Sequence, residues 1–156
     1  HGWHLGEKQH WAKRSLWEES TRVPLIFAGH SLGNGNCSRP VGLIDLYPTL
    51  NEVCDLPSPP QILEGHSLVP LLQKPDEAWP HPAITTFHQN DHTIRTEHWR
   101  YIRYANGDEE LYDRAADPHE WHNLAAKPEH KGTIAELREH LPKVNSADAP
   151  GRPPAR

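Results

Sequence analysis

The chain has 156 residues, 35% of them hydrophobic, and a formal net charge of −5. Its apolar content allows a modest core in one domain or two small subdomains, and no run approaches the roughly 20 apolar residues that cross a bilayer. The negative balance excludes the broad basic surface of a general nucleic-acid binder, and two cysteines are too few for a disulfide scaffold. Residues 1–20 lack the charged-then-apolar order of a signal peptide, so any export signal is expected outside this chain. The chain contains no methionine and opens on His1, which is too large for routine methionine trimming. We therefore expect the downstream part of a longer protein.

Residues 1–14 (HGWHLGEKQHWAKR) crowd His, Lys and Trp between glycines without helical or strand period. They predict a loop with at most a short helical turn, the kind of element on which binding chemistry concentrates. SLWEEST at 15–21 predicts a brief helix with Ser15 as N-cap and Glu18 closing a capping box. VPLIF at 23–27 predicts a buried strand, and the turn formers of 29–40 a surface loop. LIDLYPTLNEVCDL at 43–56 places Leu46, Tyr47, Leu50, Val53 and Cys54 along one helical face, with Asp45 as N-cap and Pro48 in the first turn. On that face Cys54 is expected to pack, and Cys37 and Cys54 are free to remain thiols or to pair. HSLVPLL at 66–72 packs a short segment, and a Pro-rich linker covers about 74–82.

Beyond the linker the period changes to two. AITTF (83–87), HTIRT (92–96), WRYIRYA (99–105) and ELYD (110–113) predict an antiparallel sheet, with the NGD of 106–108 as the strongest hairpin signal. A helix at about 132–143 presents Ile134, Leu137 and Leu141 on one face, suited to cover that sheet. Residues 146–156 read as a disordered tail.

Several of these segments, taken in order, resemble the type I sulfatases of the alkaline phosphatase-like superfamily, most closely the branch containing iduronate-2-sulfatase. The resemblance rests on HGW at 1–3, LGE at 5–7, WAK at 11–13, TRVPLIF at 21–27, DLYPTL at 45–50, EGHSLVPLL at 64–72 and ELYDRAADPHEWHNLA at 110–125. It implies an α/β fold: the C-terminal part of a sulfatase, ending in a small antiparallel sheet with a packed helix. Residues 1–75 would close the catalytic α/β domain, 76–145 would form the sheet subdomain and 146–156 the tail.

By the same resemblance His1 helps to ligate an active-site calcium, although imidazole is an unusual ligand for so hard a cation. Lys13 matches the lysine that contacts the sulfate. Its charge would oppose the negative charge spread over the sulfuryl oxygens as the S–O bond breaks. Trp3 either walls the pocket against the substrate sugar or anchors the loop. His4, Lys8 and His10 match no functional position and are taken as surface residues. Arg95 and Trp99 are either pocket-rim or packing residues, the latter favoured.

Sulfatases convert the cysteine of a Cys-x-Pro-x-Arg motif into formylglycine, the nucleophile. Neither Cys37 (NCSRP) nor Cys54 (VCDLP) has that context, and the paired aspartates that would complete the calcium site are missing. The expectation is a sulfuric ester hydrolase of sulfated sugars such as iduronate 2-sulfate, present as a fragment that is inactive alone. Its partners would be the sulfated carbohydrate and the upstream part of the same sulfatase, with no nucleic acid and no membrane span. Family habit places such a protein outside the cytoplasm: secreted, periplasmic or lysosomal. The alternatives are a non-catalytic remnant that binds sulfated glycans and, ranked last, a His-rich metal-binding protein.

Overall fold

The computed structural model describes residues 2–29 and 33–147. Its centre is a four-stranded antiparallel meander: β1 (Ala83–Thr86), β2 (His92–Arg95), β3 (Trp99–Arg103) and β4 (Glu109–Asp113) pair in sequence order. Short connections set this order. Thr96 N–H bonds to Trp99 O at 2.9 Å across the β2–β3 turn, and in the β3–β4 turn Gly107 adopts φ 97°, a left-handed value that glycine takes without strain.

Register assigns the faces. Ile94 lies opposite Tyr101, and Tyr101 opposite Leu111, so these three share a face with Ile134 and Leu137 packed onto it. The two covering residues come from α4 (Lys131–Arg138), which is shorter than the periodicity predicts, with Leu141 packing just beyond it. Burying each of these aliphatic side chains contributes about 1.5–3 kcal/mol.

The opposite face carries Thr93, Arg100, Ile102 and Tyr112, and it is also covered. Leu16 packs against Ile102 and Tyr112, with Trp17 and Tyr104 alongside. The N-terminal segment through α1 (Glu18–Thr21) is thus a second layer on the sheet, which alternation along the strands does not reveal.

Three local expectations are corrected. VPLIF at 23–27 forms no strand: among the described residues no segment offers it a ladder partner, Pro24 lacks a donor, and Ile26 is 84% exposed. Ser15 does not cap α1; Trp17 holds the N-cap position without a side-chain bond, while the Ser15 hydroxyl donates to Ser20 Oγ at 2.8 Å. Cys54 does not pack but is exposed at the C-terminus of α2 (Leu46–Val53), and Cys37 is exposed as well. Both are free thiols.

Asp45 stands at the start of α2 as expected, yet its carboxylate reaches elsewhere. It accepts from Gly42 N–H at 2.8 Å and from His66 N–H at 2.9 Å, tying the helix to the EGHSL segment. Thr49 completes the tie: its hydroxyl donates to Asp45 O and accepts from Leu68 N–H at 2.9 Å, ahead of α3 (Val69–Gln73). The predicted apolar stripe of α2 faces outward, with Tyr47 and Leu50 about half exposed. Of the predicted tail, only residues 146 and 147 are described, and both lack regular structure.

Candidate functional site

The loop of residues 2–14 folds back on itself. His4 N–H bonds to Ala12 O and Gly6 N–H to His10 O, both at 3.0 Å, so the two arms run antiparallel. The tip is one 3₁₀ turn, Glu7–Gln9, whose Lys8 and Gln9 take φ of 52° and 57°. Opposing His4 and Ala12 brings Trp3 and Lys13 to the same end of the hairpin. Both residues are exposed there, and among the described residues no acceptor holds the Lys13 ammonium.

The base of the hairpin is fixed from below. Gly2 N–H bonds to Ser20 O at 3.2 Å, and a Cβ at residue 2 would lie 1.8 Å from Glu19 O. No side chain fits there, which gives the glycine of the HGW stretch a steric reason. Ser20 Oγ donates to Lys13 O at 3.1 Å and accepts from Ser15, whose own oxygen lies 3.0 Å from His4 Nε2. Because a carbonyl only accepts, the chain of bonds runs one way, and His4 must carry its proton on Nε2. A buried imidazole is thereby linked, through two hydroxyls, to the backbone of Lys13.

The tip is fixed from the sheet. Lys8 Nζ donates to Tyr112 OH at 3.0 Å and stands 4.5 Å and 4.8 Å from the ring centroids of Tyr112 and Trp17. Glu110 gathers the polar ends of this box, accepting from Trp17 Nε1 at 2.7 Å, Tyr112 OH at 2.7 Å and Tyr104 OH at 3.1 Å. Burial lowers the Lys8 ammonium pKa, and nearby carboxylates, Glu110 first, oppose that shift.

Beneath lies a cluster of charges on the covered face. Arg100 bonds to both Glu18 and Glu120, the latter at 2.5 Å; Arg114 reaches the same two carboxylates at 3.2 and 3.3 Å, and Arg95 reaches Glu18 at 3.2 Å. Burial pushes the Glu18 carboxyl upward, but Arg100, Arg95 and Arg114 outweigh it and hold its pKa at about 2.

Of the sequence-predicted site residues, Lys13 and Trp3 stand at the same end of the hairpin, both exposed, and His1 lies outside the described residues. His4, Lys8 and His10 are not surface residues: His4 is 1% exposed and Lys8 and His10 are partly buried, because the loop folds onto Trp17 and the sheet. Arg95 and Trp99 are packing residues, one paired with Glu18 and the other set against the helix-covered core. The Glu18–Glu120–arginine cluster was missed; it carries no local sequence signal, because Glu18 and Glu120 lie 102 positions apart. Among the described residues no group of three or more His, Cys, Asp or Glu side chains is arranged to hold a metal ion.

Residues 6–147 match the family described as N-sulphoglucosamine sulphohydrolase, C-terminal. A sulfatase of Formosa agariphila is 42% identical over 94% of this chain, which spans only 29% of that protein's length. A protein of Bacteroides thetaiotaomicron assigned to the sulfatases superposes with a TM-score of 0.67 at 30% identity, over 84% of this chain and 31% of its own. A further structure, solved in complex with its substrate D-glucosamine-2-N,6-O-disulfate, gives a TM-score of 0.52 at 26% identity, over 61% of this chain and 22% of its own.

Proposed function

This chain belongs to the sulfatases, as their C-terminal part, and from that membership we propose that it serves the hydrolysis of a sulfate ester on a sugar. In that reaction water adds across the S–O bond, releasing the sugar alcohol and hydrogen sulfate. The observation that carries the reading is the hairpin of residues 2–14. It is fixed at both ends and leaves Lys13 exposed at the same end as Trp3. Lys13 would grip the non-bridging oxygens and offset their growing negative charge, and Trp3 would lie against the sugar ring.

The sugar is of the glycosaminoglycan type. Iduronate 2-sulfate and N-sulfoglucosamine are the two candidates, the first from the resemblance of HGW, LGE and WAK, the second supported by the matching family. Calcium would be held by His1 together with donors beyond the described residues, and would act as a Lewis acid. The formylglycine nucleophile would likewise come from the upstream part of the same sulfatase, since Cys37 and Cys54 lack its motif. No helix among the described residues is long and apolar enough to cross a membrane. The proposed site of action is secreted, periplasmic or lysosomal. Residues 1–75 and 76–145 are proposed as the end of the catalytic domain and the sheet subdomain.

The test is sulfate release from a sulfated disaccharide by the reading frame that includes this chain. Lys13→Ala is expected to lower kcat by about 10²–10³-fold, while kcat within a factor of two of the parent would overturn the assignment. The 156-residue chain alone is expected to release no sulfate; release above a Lys13→Ala control would refute that.

A further inference from the structure

Away from the hairpin, three segments meet around a cleft of 240 Å³: Pro40 from one side, Trp79, Pro80 and His81 from the second, Glu97 and His98 from the β2–β3 turn. Arg39 staples the walls. Its Nε and Nη2 donate to the carbonyls of Glu77 and Asp76 at 3.1 and 2.9 Å, and its Nη1 pairs with Glu97. The cleft therefore does not depend on a single loop.

We propose that this cleft binds one uncharged sugar ring, a unit neighbouring the sulfated one on the same glycan. Ligand pockets for drug-sized molecules span about 300–1,000 Å³, so this one has room for a single ring. Its floor of indole and proline suits the C–H face of a pyranose, because an aromatic ring presents negative potential to polarised C–H bonds. Its rim suits hydroxyls, which both donate and accept. Glu97 accepts, and His81 and His98 can do either when neutral.

Burial, then the neighbouring His66, lowers the His81 pKa against the pull of Asp45, which favours the uncharged imidazole. Trp79 Nε1 is buried without an acceptor among the described residues and is out of a ligand's reach, so the indole would contribute its ring and not its donor. Among the described residues that line the cleft there is no Lys or Arg, and Arg39, which braces the walls, is paired with Glu97, so the cleft offers a sulfate no free positive charge. That separates it from Lys13.

The proposal rests on the sulfatase reading only for expecting a glycan, and the experiment separates the two. Saturation-transfer NMR on the 156-residue chain would use the methyl β-glycoside of N-acetylglucosamine, which carries no sulfate. We expect transfer to the sugar ring protons, an affinity about tenfold weaker in Trp79→Ala, a smaller loss in Glu97→Gln, and no change in Lys13→Ala. Trp79→Phe keeps the platform and is expected to retain most of the binding, which guards against simple misfolding of the alanine variant. Absence of transfer, or transfer that Trp79→Ala leaves unaltered, overturns the sugar site; so does transfer abolished by Lys13→Ala. Failure of the sulfate-release test with transfer intact would leave the cleft standing without the catalytic reading.

Discussion

Glu18 sits between three guanidinium groups, and its titration contributes to how the protein responds to acid. Its folded pKa of about 2 lies below the ordinary 4.5. Its stabilisation is therefore complete above about pH 4.5 and is lost as pH falls toward 2. Urea denaturation across that window should show the loss, and Glu18→Gln should flatten it. At neutral pH the same substitution leaves Arg100 and Arg114 under-compensated on a buried face, for a cost of about 3–5 kcal/mol. Gly2 is the second residue whose identity is dictated by space. With Glu19 O 1.8 Å from any added Cβ, Gly2→Ala must push the loop off α1. We expect a loss of about 1–3 kcal/mol and faster hydrogen exchange at the Gly2 amide; unchanged exchange would show that the contact yields easily.

At the scale of elements, the hairpin of residues 2–14 derives its order from what grips it. Isolated, a segment this rich in glycine and exposed aromatics has no reason to hold one shape. Here Lys8 closes it onto β4 across 104 positions of sequence. Lys8→Met keeps length and apolar contact but removes the cation and its donor. It should cost about 1 kcal/mol and loosen the His4 and Gly6 amides, read by exchange, while the helix-covered face of the sheet keeps its protection. If those two amides keep their protection in Lys8→Met, the lysine does not hold the tip. The loop, the sheet and its hairpin turns were legible because period-two alternation and the NGD turn encode backbone geometry directly. VPLIF misled for the opposite reason: β-rich composition states a preference, whereas a strand exists only when another segment fills its hydrogen bonds.

For the whole molecule, the distribution of apolar surface is uneven. Strands β2–β4 are covered on both faces, yet Ile26, Leu43, Ile44, Tyr47, Leu50 and Ile62 are exposed by half or more. Surface of that kind is a binding face or an association hazard, and we propose that the upstream part of a sulfatase covers it. The chain alone should bind a hydrophobic dye and self-associate. Ile44→Lys with Ile62→Lys should reduce both without lowering the denaturation midpoint, as sedimentation and urea titration would show. A monomeric wild-type chain that binds no dye would argue against an uncovered face. Residues 15–22 should exchange as slowly as the sheet they pack on, and residues 23–29 and 33–62 much faster.

The sequence by itself determined the four strands of the antiparallel sheet, the apolar face of the helix that covers it, and the loop on which Lys13 and Trp3 stand, because periodicity, turn chemistry and local motifs act over a few residues. Only the tertiary structure decided that His4 and Lys8 are inside, that the arginines of β2 and β3 meet Glu18 and Glu120, and that the second sheet face is buried. Those outcomes depend on which distant segment removes water from a side chain, and no local pattern records its partner.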